Sequence, residues 1–309
     1  MSAEKTKAQK LAHLEHIATS EERFFFDYSP HIQEYLKDEQ AEVRARAVEC
    51  LWEYPEPAHI DTLINLTEND PSNEVREKAI SGLGRFIYEG EMADYDFDFG
   101  PYDAVLREGE LPQADFQRVY DYLLAIIRDE SRPLDARRRA IEAISFSHEP
   151  EILDIIAQAY HHTETKMRVS AVFAMGRNGN IRFEGPILEA LYSPIPDIEF
   201  EAVRAAGAFP LDRANRQLMR IAEADEDKDL RLTAIWSLGE IGHEMTFLLL
   251  NDLQSDPDKD IREAAEAALE EWIMSVHLRE LDDDDFLGEE DADDLDWDYF
   301  DQDNNGQII

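Results

Sequence analysis

The sequence predicts an all-α protein: a right-handed α-solenoid of about seven helical hairpins, followed by a disordered acidic tail. Three observations carry this. A motif returns with a period near 31 residues, its conserved columns fall on one face of a helix, and a second amphipathic stretch precedes each copy. The motif is plainest in DPSNEVREKAISGLG (70–84), DEDKDLRLTAIWSLG (225–239) and DPDKDIREAAEAALE (256–270).

Taking Arg76 as position zero, the equivalent residues are Arg44, Arg76, Arg137, Arg168, Glu199, Arg231 and Arg262, spaced by 32, 61, 31, 31, 32 and 31. A fixed interval of this size marks a repeat array, and the single 61 is one period plus an insertion. Just before zero stand Val43, Val75, Ala136, Met167, Ile198, Leu230 and Ile261. Three places after it every copy has alanine: Ala47, Ala79, Ala140, Ala171, Ala202, Ala234 and Ala265. Six places after it the residue is always small, from Cys50 and Gly82 to Ala268. Offsets −1, 3, 4 and 7 share one helix face, and the small columns let neighbouring helices approach closely.

The upstream stretches include 59–70, 151–162, 185–193, 215–225 and 245–253, each joined to its column helix by a short Asp/Ser/Pro turn. Proline stops the first helix, and Asp or Ser offers a capping oxygen to the second. Such a hairpin cannot bury its own apolar face, so neighbours must stack. The expected organisation is an N-terminal capping helix over 1–28, a solenoid over 29–279 with an acidic insertion at 88–112, and a tail over 280–309.

The paired helices with a D-P-x-x-x-V-R-x-x-A signature resemble HEAT repeats, specifically the short variety named after the phycobilisome lyases. The resemblance covers about residues 29 to 276 and implies a ladder of hydrogen bonds between repeats, made by the turn Asp and the zero-position Arg. Asp70/Arg76, Asp225/Arg231 and Asp256/Arg262 fit it fully, and Asp38/Arg44 fits without the proline. Ser193 and Glu199 depart from it, so the ladder should break in the fifth unit. The resemblance also implies two functional classes: a protein-binding scaffold, or a lyase-like subunit that attaches a tetrapyrrole to a partner protein.

Seventy acids against thirty bases leave a net charge of −40. A field of that sign repels phosphate backbones and anionic membranes, so neither is an expected direct partner. A basic or amphipathic protein partner fits, and so does an acidic chaperone or nucleic-acid mimic. The N-terminus lacks the apolar core of a secretory signal, and no run is long enough to cross a bilayer, which points to the cytoplasm. The single cysteine, Cys50, is expected to be a packing residue.

The insertion carries eight acids against one base and alternates acid with aromatic through Asp94, Tyr95, Asp96, Phe97 and Asp98. The tail holds fourteen acids and no Lys or Arg, with Trp297, Tyr299 and Phe300 among them. Both are candidate acidic docking elements; the competing expectation for the insertion is a surface loop that packs back on the array. Asp301-x-Asp303-x-Asn305-Gly306 matches only the first half of a calcium loop. His148-Glu149 and His243-Glu244 resemble the HE pairs of deoxyhypusine hydroxylase, a di-iron enzyme of similar fold with four such pairs. Two pairs without a convergent set predict surface or capping histidines, and AMGRNGN (174–180) is expected only to end a helix. No catalytic residue, metal site or cofactor is expected.

Positions one and five after zero point away from the core columns. They are polar or small in units one to three and seven, including Ala45/Glu49 and Arg138/Glu142, but become Val169/Phe173, Phe200/Arg204 and Leu232/Trp236 in units four to six. Since other copies tolerate charge there, these sites need not be buried. They form a candidate partner-binding stripe, the alternative being local repacking around Glu199.

Overall fold

The computed structural model describes residues 5–19, 26, 28–93, 111–224 and 227–284. Every regular element among them is helical. After α1 (Lys7–Thr19) come seven helix pairs: α2/α3 (Ser29–Tyr35, Ala41–Cys50), α4/α5 (Ala58–Asn69, Asn73–Ala93), α6/α7 (Gln113–Arg128, Leu134–Ile144), α8/α9 (Pro150–Tyr160, Thr165–Asn178), α10/α11 (Glu184–Ala190, Pro196–Ala208), α12/α13 (Asn215–Ala224, Lys228–Ile241) and α14/α15 (Phe247–Leu253, Lys259–Asp284). The chain divides into two compact units, residues 1–217 and 218–309. In the first, α3, α5, α7, α9 and α11 pack in series; in the second, α13 packs on α15.

The columns explain the stacking. All seven recurrent alanines are fully buried, and the preceding apolar column is buried except at Ala136, which is half-buried. Cys50 is buried too, its Sγ donating to the Leu14 carbonyl, and burial pushes its thiol up to about 11. It is a packing residue, not a nucleophile.

One column escaped the sequence reading. Eight places after zero stand Gly84, Gly176 and Gly239, and each faces the small residue six places after zero in the next hairpin. A Cβ on Gly84 would lie 2.9 Å from the Ala143 carbonyl oxygen, one on Gly176 would lie 2.7 Å from the Ala205 Cα, and one on Gly239 would lie 2.7 Å from the Ala268 carbonyl oxygen. Contact this close leaves no room for a side chain on the glycine, and room for no more than a methyl on its neighbour.

The turn aspartates act differently from simple caps. Asp70 Oδ1 accepts from Ser72 N and Asp256 Oδ1 from Asp258 N, each an Asx turn, and neither supplies a side-chain N-cap. Their other contact is the zero-position arginine of the preceding hairpin. Arg44 grips Asp70 through Nε at 2.7 Å and Nη2 at 2.8 Å, while its Nη1 donates to the Asp38 carbonyl at 2.7 Å. Arg231 reaches Asp256 at 2.9 Å in the second unit. Arg76 and Arg262 do not pair with their own turn carboxylates; they donate to the backbone carbonyls of Asp70 and Asp256. Asp225 lies outside the described residues.

At the N-terminus Lys10 on α1 takes the arginine's place, donating to Asp38 at 2.6 Å. Further along the first unit, the clasps stop. Arg137 donates to the Ile127 carbonyl, and Arg168 to Thr165 Oγ1, while Arg168 Nε is buried without an acceptor. The position that would serve Arg168 in the next turn is Ser193, whose hydroxyl accepts from Ile195 N.

The first residues of the expected insertion continue α5, which is helical through Ala93. Asp94, Tyr95, Asp96, Phe97, Asp98, the half calcium loop, Trp297, Tyr299 and Phe300 all lie outside the described residues. No helix among the described residues is long and apolar enough to cross a membrane.

Candidate functional site

The site in the first unit is built where the C-terminal turns of the second helices come together. Trp52 follows α3, Arg85 and Tyr88 lie on α5, and Phe146 follows α7. Arg85 sits over both Trp52 and Tyr88, at 5.8 and 5.0 Å from the ring centroids. Tyr88 meets Phe146 edge-on at 5.2 Å. Arg177 of α9 then lies between Phe146 at 4.7 Å and Phe173 at 4.2 Å, and Arg204 of α11 covers Phe173 at 4.5 Å. The result is a continuous strip of alternating guanidinium and aromatic groups across five hairpins. Each member is half-buried. Cation–π contacts of this sort contribute about 0.5–2 kcal/mol each, depending on desolvation.

Beside the strip runs a groove of about 540 Å³ lined by Trp52, Glu77, Arg139, Glu142, Phe173 and Arg177 among others. Three of its carboxylates are committed. Glu142 accepts from Arg139 and Ser170, Glu77 lies within 3.7 Å of Arg138 and Arg139, and Glu49 pairs with Arg46 and Lys78. Burial draws the Arg139 guanidinium down, but Glu142 and Glu77 outweigh it and hold Arg139 above its ordinary value. On α11, burial pushes the Glu201 carboxyl up despite its hydrogen bond from Arg204.

The stripe positions differ from copy to copy. Glu142 is 8% exposed and Ala45 4%, whereas Glu49, Glu77, Ser81 and Arg138 are half-buried and Glu263 and Ala267 are exposed. At Glu142 the buried charge is satisfied by arginines. Of the stripe residues in the first unit, Val169, Phe173, Phe200 and Arg204 are half-buried. In the second unit Leu232 is half-buried and Trp236 is 41% exposed. The strip unites Phe173 and Arg204 with residues the sequence reading left out: Trp52, Arg85, Phe146 and above all Arg177. AMGRNGN does more than end a helix. It supplies the close-packed Gly176, Arg177 itself, Asn178 bonding the Ser145 and Ser147 carbonyls, and the left-handed Gly179 cap at φ 65°. Arg85, Phe146 and Arg177 share the position nine after zero, a column visible in the sequence had that offset been tabulated.

The histidines cap and pack. His243 Nδ1 accepts from Met245 N, starting a short 3-10 turn, and His148 Nε2 donates to the Asn178 carbonyl. Among the described residues no group of three or more His, Cys, Asp or Glu side chains could hold a metal ion.

His13 on α1 bonds the Tyr35 hydroxyl at 2.8 Å, with Lys5 and the edge of His31 alongside. Burial, then Lys5, His31 and His16, hold its pKa below 6.5. The folded ring therefore binds its proton less readily than the unfolded one, so docking of α1 weakens as pH falls through about 6.5. Hydrogen-exchange protection across α1 should drop between about pH 7.5 and 5.5 and stay level in His13→Asn. Equal loss in both proteins would assign the effect to other groups.

Residues 29–94 and 184–270 match the family model for HEAT repeats. Both segments are HEAT repeats. Among solved structures it is similar to yeast importin-beta, with 16% identity over 88% of this chain but 40% of that one and a TM-score of 0.49. It is also similar to the CpcE and CpcF phycocyanin lyase complex of Nostoc sp. PCC7120, with 16% identity, coverage of 82% and 94%, and a TM-score of 0.48. Human deoxyhypusine hydroxylase gives 15% identity, coverage of 88% and 92%, and a TM-score of 0.38. Nothing of their activities or ligands carries over to this chain at such likeness. A search of curated proteins returned no match.

Proposed function

We propose that the protein is a non-enzymatic scaffold that holds a protein partner on the strip of arginine and aromatic side chains formed by its second helices. The observation behind this is the half-exposure of that strip. Large aromatics and arginines in series, left accessible when the core columns beside them are sealed, have the composition of interface anchors. A charge of −40 favours a basic or amphipathic partner, attracted over distance by the field and seated by its apolar side. The insertion and tail, each dense in acid and aromatic residues, would tune the choice of partner from outside the strip.

Alanine variants separate this role from a structural one. Trp52 is half-buried at one end of the strip, so Trp52→Ala should lower the melting temperature by only a few degrees. Partner capture from native lysate should fall by at least tenfold, roughly the loss expected of an anchor. Phe173→Ala should lose partner too, with a modest fall in stability because both guanidinium faces against it are uncovered. Undiminished capture by both variants would remove the proposal, and unfolding in step with lost capture would return these residues to the core.

A further inference from the structure

Arg177 stands apart from every other arginine of the strip. Arg85 pairs with Glu89, and Arg204 with Glu201. Arg177 makes no ion pair among the described residues; its one hydrogen bond runs from Nη1 to the Glu142 backbone carbonyl at 3.1 Å. Its guanidinium lies over the rings of both Phe146 and Phe173, and ring contact leaves the edge of the fork for a ligand. None of its nitrogens is both buried and without a partner, and the residue lines the groove. The spare N–H groups are therefore not sealed in the core, and the residue that carries them borders the groove.

An unpaired guanidinium between two rings is costly to maintain unless something uses it. Burial draws its pKa down to about 10, which leaves it fully charged at neutral pH. The carboxylates nearest to it cannot relieve it, because Glu142 is held by Arg139 and Ser170 and Glu201 by Arg204. Lysine could not replace it: a planar fork stacks between rings and still offers two parallel donors along one edge, whereas an ammonium has neither property.

We infer that Arg177 is a receptor for a single carboxylate, an Asp or Glu side chain carried on the partner's otherwise apolar docking segment. The inference rests on the scaffold reading and sharpens it. The segment would lay apolar side chains against Trp52 and Phe173 and direct one acid onto the guanidinium edge. The surrounding negative field then selects against segments with several acids, because only one cation in the groove is free to receive them. A partner with basic flanks and one central acid fits both the field and the site.

The test needs no identified partner. A library of random 12-residue peptides, each synthesised as an Asp and an Asn version, is screened for binding to the full chain and then to Arg177→Gln and Arg177→Lys. Among peptides that bind, the Asp version should be favoured by at least about tenfold on the wild type, the scale of a charge-assisted hydrogen bond at a desolvated site. The preference should vanish in Arg177→Gln and fall sharply in Arg177→Lys. Binders without an Asp preference on the wild type would overturn the carboxylate receptor while sparing the scaffold reading. So would a preference that survives both substitutions. If no peptide binds the wild type, both readings fall together. Because the Asp/Asn comparison is made on the unaltered protein, misfolding of a variant cannot mask the outcome.

Discussion

Asp70→Ala should destabilise the first unit by about 3–5 kcal/mol, the cost of leaving a buried charge without its counter-ion. Arg44 and Asp70 are 8% and 7% exposed, and their contact is bidentate. Removing the carboxylate strands the guanidinium and also releases the Ser72 amide that Asp70 holds. At this size the loss corresponds to about 10 °C in melting temperature. Replacing both partners by apolar residues of similar volume, Arg44→Met with Asp70→Leu, should recover most of it, because the stranded charge is the main cost. The pair also sets an acid limit. Burial raises the Asp70 carboxyl, but hydrogen bonds from Arg44 and Ser72 outweigh it and hold the pKa below 3.8. Its contribution is therefore complete well above 3.8 and is lost as pH falls through the lower, folded value. A single-mutant loss under about 1 kcal/mol in urea titrations would show that water already screens the pair.

Gly176→Val is the second large effect. The first added atom would stand 2.6 Å from Ala205 Cβ and 2.7 Å from its Cα, so relief requires α9 and α11 to separate. Overpacking a core typically costs about 1–3 kcal/mol, and a clash with backbone belongs at or above the upper end. Gly185 is the control: nothing lies within 4 Å of its added Cβ, so Gly185→Ala should be neutral or slightly stabilising. Chemical denaturation of the two variants side by side reads the difference. A Gly176→Val protein as stable as the parent would mean that the hairpins have freedom to part.

How much of this could be read beforehand follows from which distances each feature depends on. The alanine column and the apolar column before it obey a period set within one helix, and the seven alanines are duly buried. The glycine column eight places after zero was present in SGLG, AMGR and SLGE, yet its meaning lies in the neighbouring helix, against Ala143, Ala205 and Ala268. The burial of Glu142 has the same origin. A carboxylate at a tolerant column looks exposed until arginines from its own and adjoining turns are seen around it. The strip was the hardest to foresee, since Phe146–Arg177–Phe173–Arg204 alternates between hairpins and has no regular pattern along any single one.

The carboxylate clasps have a consequence for how the first unit bears load. Lys10–Asp38 and Arg44–Asp70 bolt its first hairpins together, whereas from Arg137 onward the arginines find carbonyls, a hydroxyl or, at one nitrogen, nothing. The joints around α7, α9 and α11 lack the bidentate carboxylate clasp and are held by close packing together with Ser170 on Glu142 and with Arg177 and Asn178 on backbone carbonyls. Those are the joints that carry Phe146, Phe173, Arg177 and Arg204. On the scaffold reading proposed above, a guest on the strip would sit where the hairpins lack that clasp, so small tilts of its hosts would spare both clasped pairs.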